Sequence, residues 1–284
     1  TFNLCPKALE SKLIKAKNDG RLPKILVAVH LCGQRCDMKA INELSKRFGF
    51  YLIEDASHAI GGKYRDEYIG NCRYSDITVF SFHPVKIITT AEGGMALTNN
   101  IKLFKKMELL RTHGITRDET MMDENTHGGW YYEQIDLGYN YRITELQAAL
   151  GISQMERLDD FVAARQSLAS IYNKKLSGLP INLPFQLKNT YSAMHLYVVR
   201  LKLNEIKKSH KEVFEQLRQR GIGVNLHYIP VHIQPYYKRM GFDWGNFPQA
   251  ENYYQEAISI PIFHGMTDRQ QNEVIETLGD VLGS

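Results

Sequence analysis

The stretch KILVAVHLCGQRCDMKAINELSKRFGFYLIEDAS, residues 24–57, decides the fold. Its opening, KILVAVHLCG, is a continuous apolar run, which reads as a strand buried on both faces rather than one with a wet side. Asp37 then stands as an N-cap, and Met38, Ile41, Leu44 and Phe48 fall on one helical face before Gly49. FYLIEDAS, residues 50–57, is a second apolar strand, ending in acids. Outward from this unit the pattern repeats. PKALESKLIKAKNDG (6–20) reads as a helix with Pro6 near its start and Gly20 past its end. DITVFSF (76–82) is another strand and GGMALTNN (93–100) closes the series. Apolar strands alternating with amphipathic helices predict an α/β fold, a mainly parallel sheet with helices on both faces. Ligands of such sheets bind beyond the carboxyl ends of the strands. Asp55 and Ser81 stand at two of those ends.

From about residue 144 the texture changes. TELQ (144–147) is a capping-box pattern opening a helical stretch to about Leu176, long enough to act as a spine between domains. SAMHLYVVRLKLN (192–204) alternates as a half-exposed strand, SHKEVFEQLRQRG (209–221) is a boxed helix, and IGVNLHYIP (222–230) reads as a short strand. TDRQQNEVIETLGDVLG (267–283) is a terminal amphipathic helix with a T-x-x-Q cap. The expected division is a large domain over 1–145, a connecting helix over 146–165 and a small α+β domain over 166–284.

A chain of 284 residues with 43% hydrophobic and 23% charged residues suits a globular protein with a sizeable core, and a net charge of +4 without basic clusters argues against nucleic acid. Apolar runs fall short of the roughly 20 residues of a membrane helix, and the opening TFNLCPKALE lacks the pattern of an export signal. No membrane partner is expected. Cys5, Cys32, Cys36 and Cys72 form no disulfide framework, and the CGQRC spacing is no zinc pattern. Reduced thiols in the cytoplasm, and no metal, are the expectation.

The chemistry centres on VFSFHPVKIITTAEGGMALTNN, residues 79–100, where Lys86 is a single cation in an apolar setting. A lysine amine must be neutral to attack a carbonyl, and a desolvated pocket moves its pKa that way. A carboxylate at a neighbouring strand end can stabilise a positive charge on a bound ring, and a serine hydroxyl in a strand-to-loop turn can contact a phosphate. Asp55, Ser81 and Lys86 offer these three groups, which pyridoxal 5'-phosphate requires.

The wording of the motifs carries this further. IEDASHAIGGKY, SDITVFSFHPVKIITTAEGGMALTNN, RTHGI, DLGYNYRITELQAALGISQMERLD and GIGVNLHYIPVHIQPYY, in this order, resemble the DegT/DnrJ/StrS sugar aminotransferases, pyridoxal-phosphate-dependent enzymes of fold type I. The resemblance runs along the whole chain. It implies that Lys86 is the Schiff-base lysine and proton carrier; dehydratases of the family have His there, so Lys favours transamination. It implies that Asp55 faces the pyridine nitrogen, that His58 lies against the cofactor and that Ser81 binds its phosphate. Asn140 matches an asparagine reaching the phosphate of the neighbouring subunit, which implies a homodimer with shared sites. His227 matches a substrate contact, though packing of an aromatic-rich loop explains it equally. His83 shares the turn of Lys86, though packing against the cofactor loop explains it as well, and TRDETMMDENTHGG (116–129) reads as a solvated, mobile loop. The implied reaction moves an amino group from L-glutamate to the 4-keto group of a UDP-linked 4-keto-6-deoxy-N-acetylhexosamine of the pseudaminic acid type. Action on a GDP- or dTDP-4-keto sugar and a truncated, non-catalytic scaffold stay open. Family chains carry about a hundred residues ahead of the point where this sequence starts, completing the large domain. Residues 1–284 alone are therefore expected to leave ILVAVHL as an unpaired edge, to bind cofactor poorly and to aggregate.

Overall fold

The computed structural model describes residues 1–283 and begins with α1 (Pro6–Asn18), β1 (Ile25–Val29), α2 (Met38–Phe48) and β2 (Tyr51–Asp55). The Asp37 carboxylate accepts the Ala40 N–H at the start of α2, and Gly49 ends it in the left-handed conformation. Met38, Ile41 and Leu44 are buried, each contributing about 1.5–3 kcal/mol through its removal from water. After a hairpin of β3 (Lys63–Tyr64) and β4 (Glu67–Tyr68) come β5 (Ile77–Ser81) and β6 (Gly94–Leu97). The main sheet has the order β1-β2-β5-β6. Its β1–β2 and β2–β5 pairs are parallel, and β6 runs antiparallel to β5.

Among the described residues the expected burial on both faces is met on one face. Leu9 and Leu13 of α1 and the apolar face of α2 pack with Ala28 and Leu52 on one side. On the other side Ile25 and Val27 are each 54% exposed, and Val29 and Tyr51 are exposed as well. β1 is an edge strand with β2 as its neighbour. Its apolar run therefore has one covered face and one open one, and no described helix lies across the open side.

α3 (Ile101–Arg111) leads to the two-stranded pair β7 (Ile115–Thr116) and β8 (Glu133–Gln134). Residues 116–129, expected as plain loop, thus begin in a strand and include a short 3-10 turn, Glu119–Met121. The expected spine is two helices, α4 (Glu145–Met155) and α5 (Leu158–Lys175), interrupted at Glu156 and Arg157. The Thr144–Gln147 capping box is formed.

Beyond α5 lie β9 (Ile181–Asn182), β10 (Thr190–Tyr191), which joins the β3 hairpin, and β11 (Tyr197–Leu201). α6 (His210–Gln219), α7 (Pro235–Lys238), α8 (Pro248–Glu256), β12 (Ala257–Ile260) and α9 (Asp268–Gly283) complete the order. A sheet of order β12-β11-β9 packs with α5, α6 and α9 around Tyr172, Tyr197, Leu217, Ile258 and Leu278. β11 is almost wholly buried, not half-exposed, because it is the central strand here. IGVNLHYIP forms no strand; Asn225 makes an isolated bridge to Ser259. Ser284, the last residue of the expected small domain, lies outside the described residues.

Candidate active site

Side chains alternate across a strand, and this alternation places the site. In β2, Leu52 and Glu54 face the helices, so Asp55 projects to the open face. In β5, Thr78 and Phe80 are buried while Val79 and Ser81 are not. Asp55 pairs in register with Val79, so Asp55 and Ser81 emerge from neighbouring parallel strands at their carboxyl ends. The chain then loops back. Phe82 donates its N–H to Gly93 O, and Phe82 O accepts from Thr90 N and Thr89 Oγ1. Within this clasp the Lys86 N–H closes a turn on His83 O, and buried Ile87 and Ile88 anchor the following residues in the core.

Lys86 is half-buried. Its amine is lowered from the ordinary lysine range mainly by burial, against the opposing pull of the Asp55 charge. Burial wins, which raises the neutral fraction of the amine. Asp55 Oδ1 accepts from Ser57 N at 3.1 Å and Ser57 Oγ at 2.6 Å. His58 is buried at the foot of the site, and its Nδ1 accepts the Cys32 N–H at 3.3 Å. Burial, then the positive charge of Lys86, pushes His58 down to about 4. The imidazole is neutral at physiological pH.

The structure adds groups that sequence reading missed. His195 packs on His58 with ring centroids 4.5 Å apart. Burial, then the charges of His58 and Lys86, takes it down to about 2, and its buried Nδ1 has no hydrogen-bond partner. Arg165 Nη1 donates to the carbonyls of Met194, His195 and Ile262, fixing the backbone there. Tyr228 Oη lies 3.3 Å from His58 Nε2. No local pattern marks His195 as other than a strand residue. Tyr228 stood beside His227 in a segment already singled out, so its aromatic hydroxyl was the available signal.

Of the expected residues, Asp55, His58, Ser81, Lys86 and His227 gather at one end of the sheet, His227 through its influence on His58 and that of Lys86 on it. His227 Nδ1 meets Ser259 Oγ at 2.8 Å. Asn140 is not in this group within the chain; it is exposed, with its backbone bridged to Thr112. His83 is exposed and lies 3.9 Å from Glu92. The four cysteines are free thiols. Among the described residues no group of His, Cys, Asp and Glu side chains could hold a metal, and no helix is long and apolar enough to cross a membrane.

The donor types fit pyridoxal phosphate: an amine of lowered pKa that could take the aldehyde and a carboxylate that could face the ring nitrogen. Ser81 offers a hydroxyl on the phosphate side. An amine so placed on an α/β sheet suits a transferase working on carbonyl groups through a lysine-held cofactor.

Comparison with known proteins gives the class its family. Residues 1–279 match the DegT/DnrJ/EryC1/StrS aminotransferase family, and the chain belongs to it. The chain is 35% identical over 282 residues to a UDP-4-amino-4,6-dideoxy-N-acetyl-beta-L-altrosamine transaminase of Campylobacter jejuni, covering 99% of this chain and 70% of that protein. Among solved structures it superposes on Helicobacter pylori PseC, an aminotransferase involved in the biosynthesis of pseudoaminic acid. The TM-score is 0.87 at 27% identity, over 99% of this chain and 71% of that one. A sugar aminotransferase of Streptococcus pneumoniae in its PLP form matches with a TM-score of 0.84 at 26% identity, over 100% of this chain and 73% of that one. The fold is that of the fold-type I aminotransferases, and the protein is a pyridoxal-phosphate-dependent sugar aminotransferase.

Proposed function

We propose that this aminotransferase takes its amino group from L-glutamate and gives it to the 4-keto group of a UDP-linked 4-keto-6-deoxy-N-acetylhexosamine, the pseudaminic acid type of sugar. The Campylobacter and Helicobacter similarities support the sugar class. The observation carrying the catalytic part is the half-buried Lys86 amine in the turn after β5, its pKa lowered by burial against the charge of Asp55 at the end of β2.

When bound, pyridoxal phosphate supplies an electron sink that lets a C–H bond next to nitrogen ionise. Lys86 would hold the cofactor at Nζ and, once free, would carry a proton between carbons, tasks that its lowered pKa favours. Asp55 would hold a positive charge at the ring nitrogen, while neutral His58 adds no second cation beside Lys86. Ser81 would contact the phosphate, and His227 would reach the sugar.

A homodimer completes the site in this reading. Asn140 stands in a segment rich in exposed apolar side chains, Leu137 at 84%, Tyr139, Tyr141 and Leu146 at 85%, a patch of the kind that marks a protein interface. Packed against a second copy, it would carry Asn140 to the partner's phosphate site. The division at 1–145, 146–165 and 166–284 rests on the core around Tyr172, Tyr197 and Leu278, drawn from residues beyond 166, while a second core joins Ala56 and Phe80 to Leu158, Phe161 and Ala193 across the boundaries. The free thiols suit the cytoplasm.

Protein loaded with pyridoxal phosphate is to be mixed with L-glutamate and a panel of UDP-, GDP- and dTDP-4-keto sugars, and 2-oxoglutarate followed. Fastest release with the UDP-N-acetyl sugar is expected. Preference for a GDP or dTDP sugar would refute the substrate, and no turnover with any would refute the reaction.

A further inference from the structure

Tyr228 belongs to the back half of the chain, yet its hydroxyl meets His58 of the front half. The turn that presents it is pinned. His227 Nδ1 meets Ser259 Oγ at 2.8 Å, Tyr253 Oη donates to His227 O at 2.9 Å, and Asn225 exchanges backbone hydrogen bonds with Ser259. On the other side, His58 is gripped by the loop after β1. Cys32 donates its N–H to His58 Nδ1, and Gly33, at φ +103°, passes so close that a Cβ there would stand 2.9 Å from His58 O.

These contacts settle the hydrogen-bond directions. Since Nδ1 accepts from Cys32, the proton of the neutral imidazole sits on Nε2. Nε2–H then donates to Tyr228 Oη, 3.3 Å away. The phenol keeps its own proton, because burial, then the neighbouring Cys32 and Asp55 groups, raises its pKa. No other partner of that O–H competes for it among the described contacts of Tyr228.

We propose that Tyr228 is a positioning residue for the transamination, acting through His58: the chain Cys32 N–H, His58, Tyr228 Oη fixes the imidazole in its Nε2–H form and in one orientation beside Lys86. This rests on the Lys86–Asp55 site being the reaction centre. The same chain ties the back half of the molecule to the site, so the reacting groups keep their geometry only while Tyr228 is docked.

The test is Tyr228→Phe, which removes the hydroxyl and keeps a ring that is half exposed in any case. In the cofactor-free protein with 15N-labelled histidines, His58 is expected as the Nε2–H tautomer with a slowly exchanging ring proton. In Tyr228→Phe that exchange speeds up by on the order of tenfold, the loss of one hydrogen bond. With cofactor and substrates, kcat falls by about the same factor while KM stays within about twofold. An Nδ1–H tautomer in the unsubstituted protein, or unchanged exchange and unchanged kcat in Tyr228→Phe, overturns the proposal. A protein that never turns over while showing the expected imidazole behaviour counts against the Lys86 reading instead, so the two failures are separable.

Discussion

Glu54 and Asp55 are consecutive residues of one strand, and they are treated in opposite ways. Glu54 faces the helices and is fully buried. It receives Arg35 Nε at 2.6 Å, Arg35 Nη2 at 2.7 Å, His30 Nε2 at 2.7 Å and Ser75 Oγ at 2.6 Å. Burial alone would raise its pKa, but the His30 and Arg35 hydrogen bonds and the Arg35 charge outweigh burial and hold it near 2. Asp55, turned to the open face, has Ser57 as its partner. The charge that builds the fold is saturated with hydrogen bonds, and the charge proposed for the chemistry is left with capacity to spare.

That contrast can be broken at either end. Lys86→Ala should lower turnover by ~10⁴-fold or more, since it removes both nucleophile and proton carrier, with little change in thermal stability. A large loss of stability would mean that Lys86 is structural. Arg35→Ala should do the reverse, costing about 3–5 kcal/mol in urea unfolding because the Glu54 charge is left buried and unpaired. Asp55→Asn should cut turnover by ~10²-fold while unfolding stays within about 0.5 kcal/mol of the unsubstituted protein. The pH dependence separates the two carboxylates further. Glu54 has a folded pKa near 2, below its ordinary 4.5, so its stabilisation is complete above about pH 4.5. It is lost as pH falls towards 2. Unfolding free energies should slope downward across that window, and the slope should flatten in Glu54→Gln. The smallest effect is Ser57→Ala, about 0.5–1.5 kcal/mol from one hydrogen bond.

Much of the architecture was legible because it is written in local chemistry. Asp37, Thr144 and Ser209 all cap the helices that their patterns announced. Asp55 and Ser81 were visible since strand ends can be read from where apolar runs stop, and Lys86 because it is a single cation in an apolar stretch. The open face of β1 was not legible as such. ILVAV states that the strand tolerates apolar surroundings, but only the packing of α1 and α2 shows which side is covered. The break at Glu156 and Arg157 follows no Gly or Pro, so no residue announced it. β11 looked half-exposed because period-two alternation cannot tell solvent from a second packed layer. His195 and Tyr228 reach His58 across 137 and 170 positions of sequence, and no spacing rule extends that far.

Borohydride reduction of the protein expressed from its whole gene, saturated with pyridoxal phosphate, tests the central claim most directly. Peptide mapping should place a single pyridoxyl group on Lys86, in the peptide that contains SFHPVK. A label on another lysine, or none at all, would contradict the assignment of Lys86 as the amine kept underpaired for the cofactor.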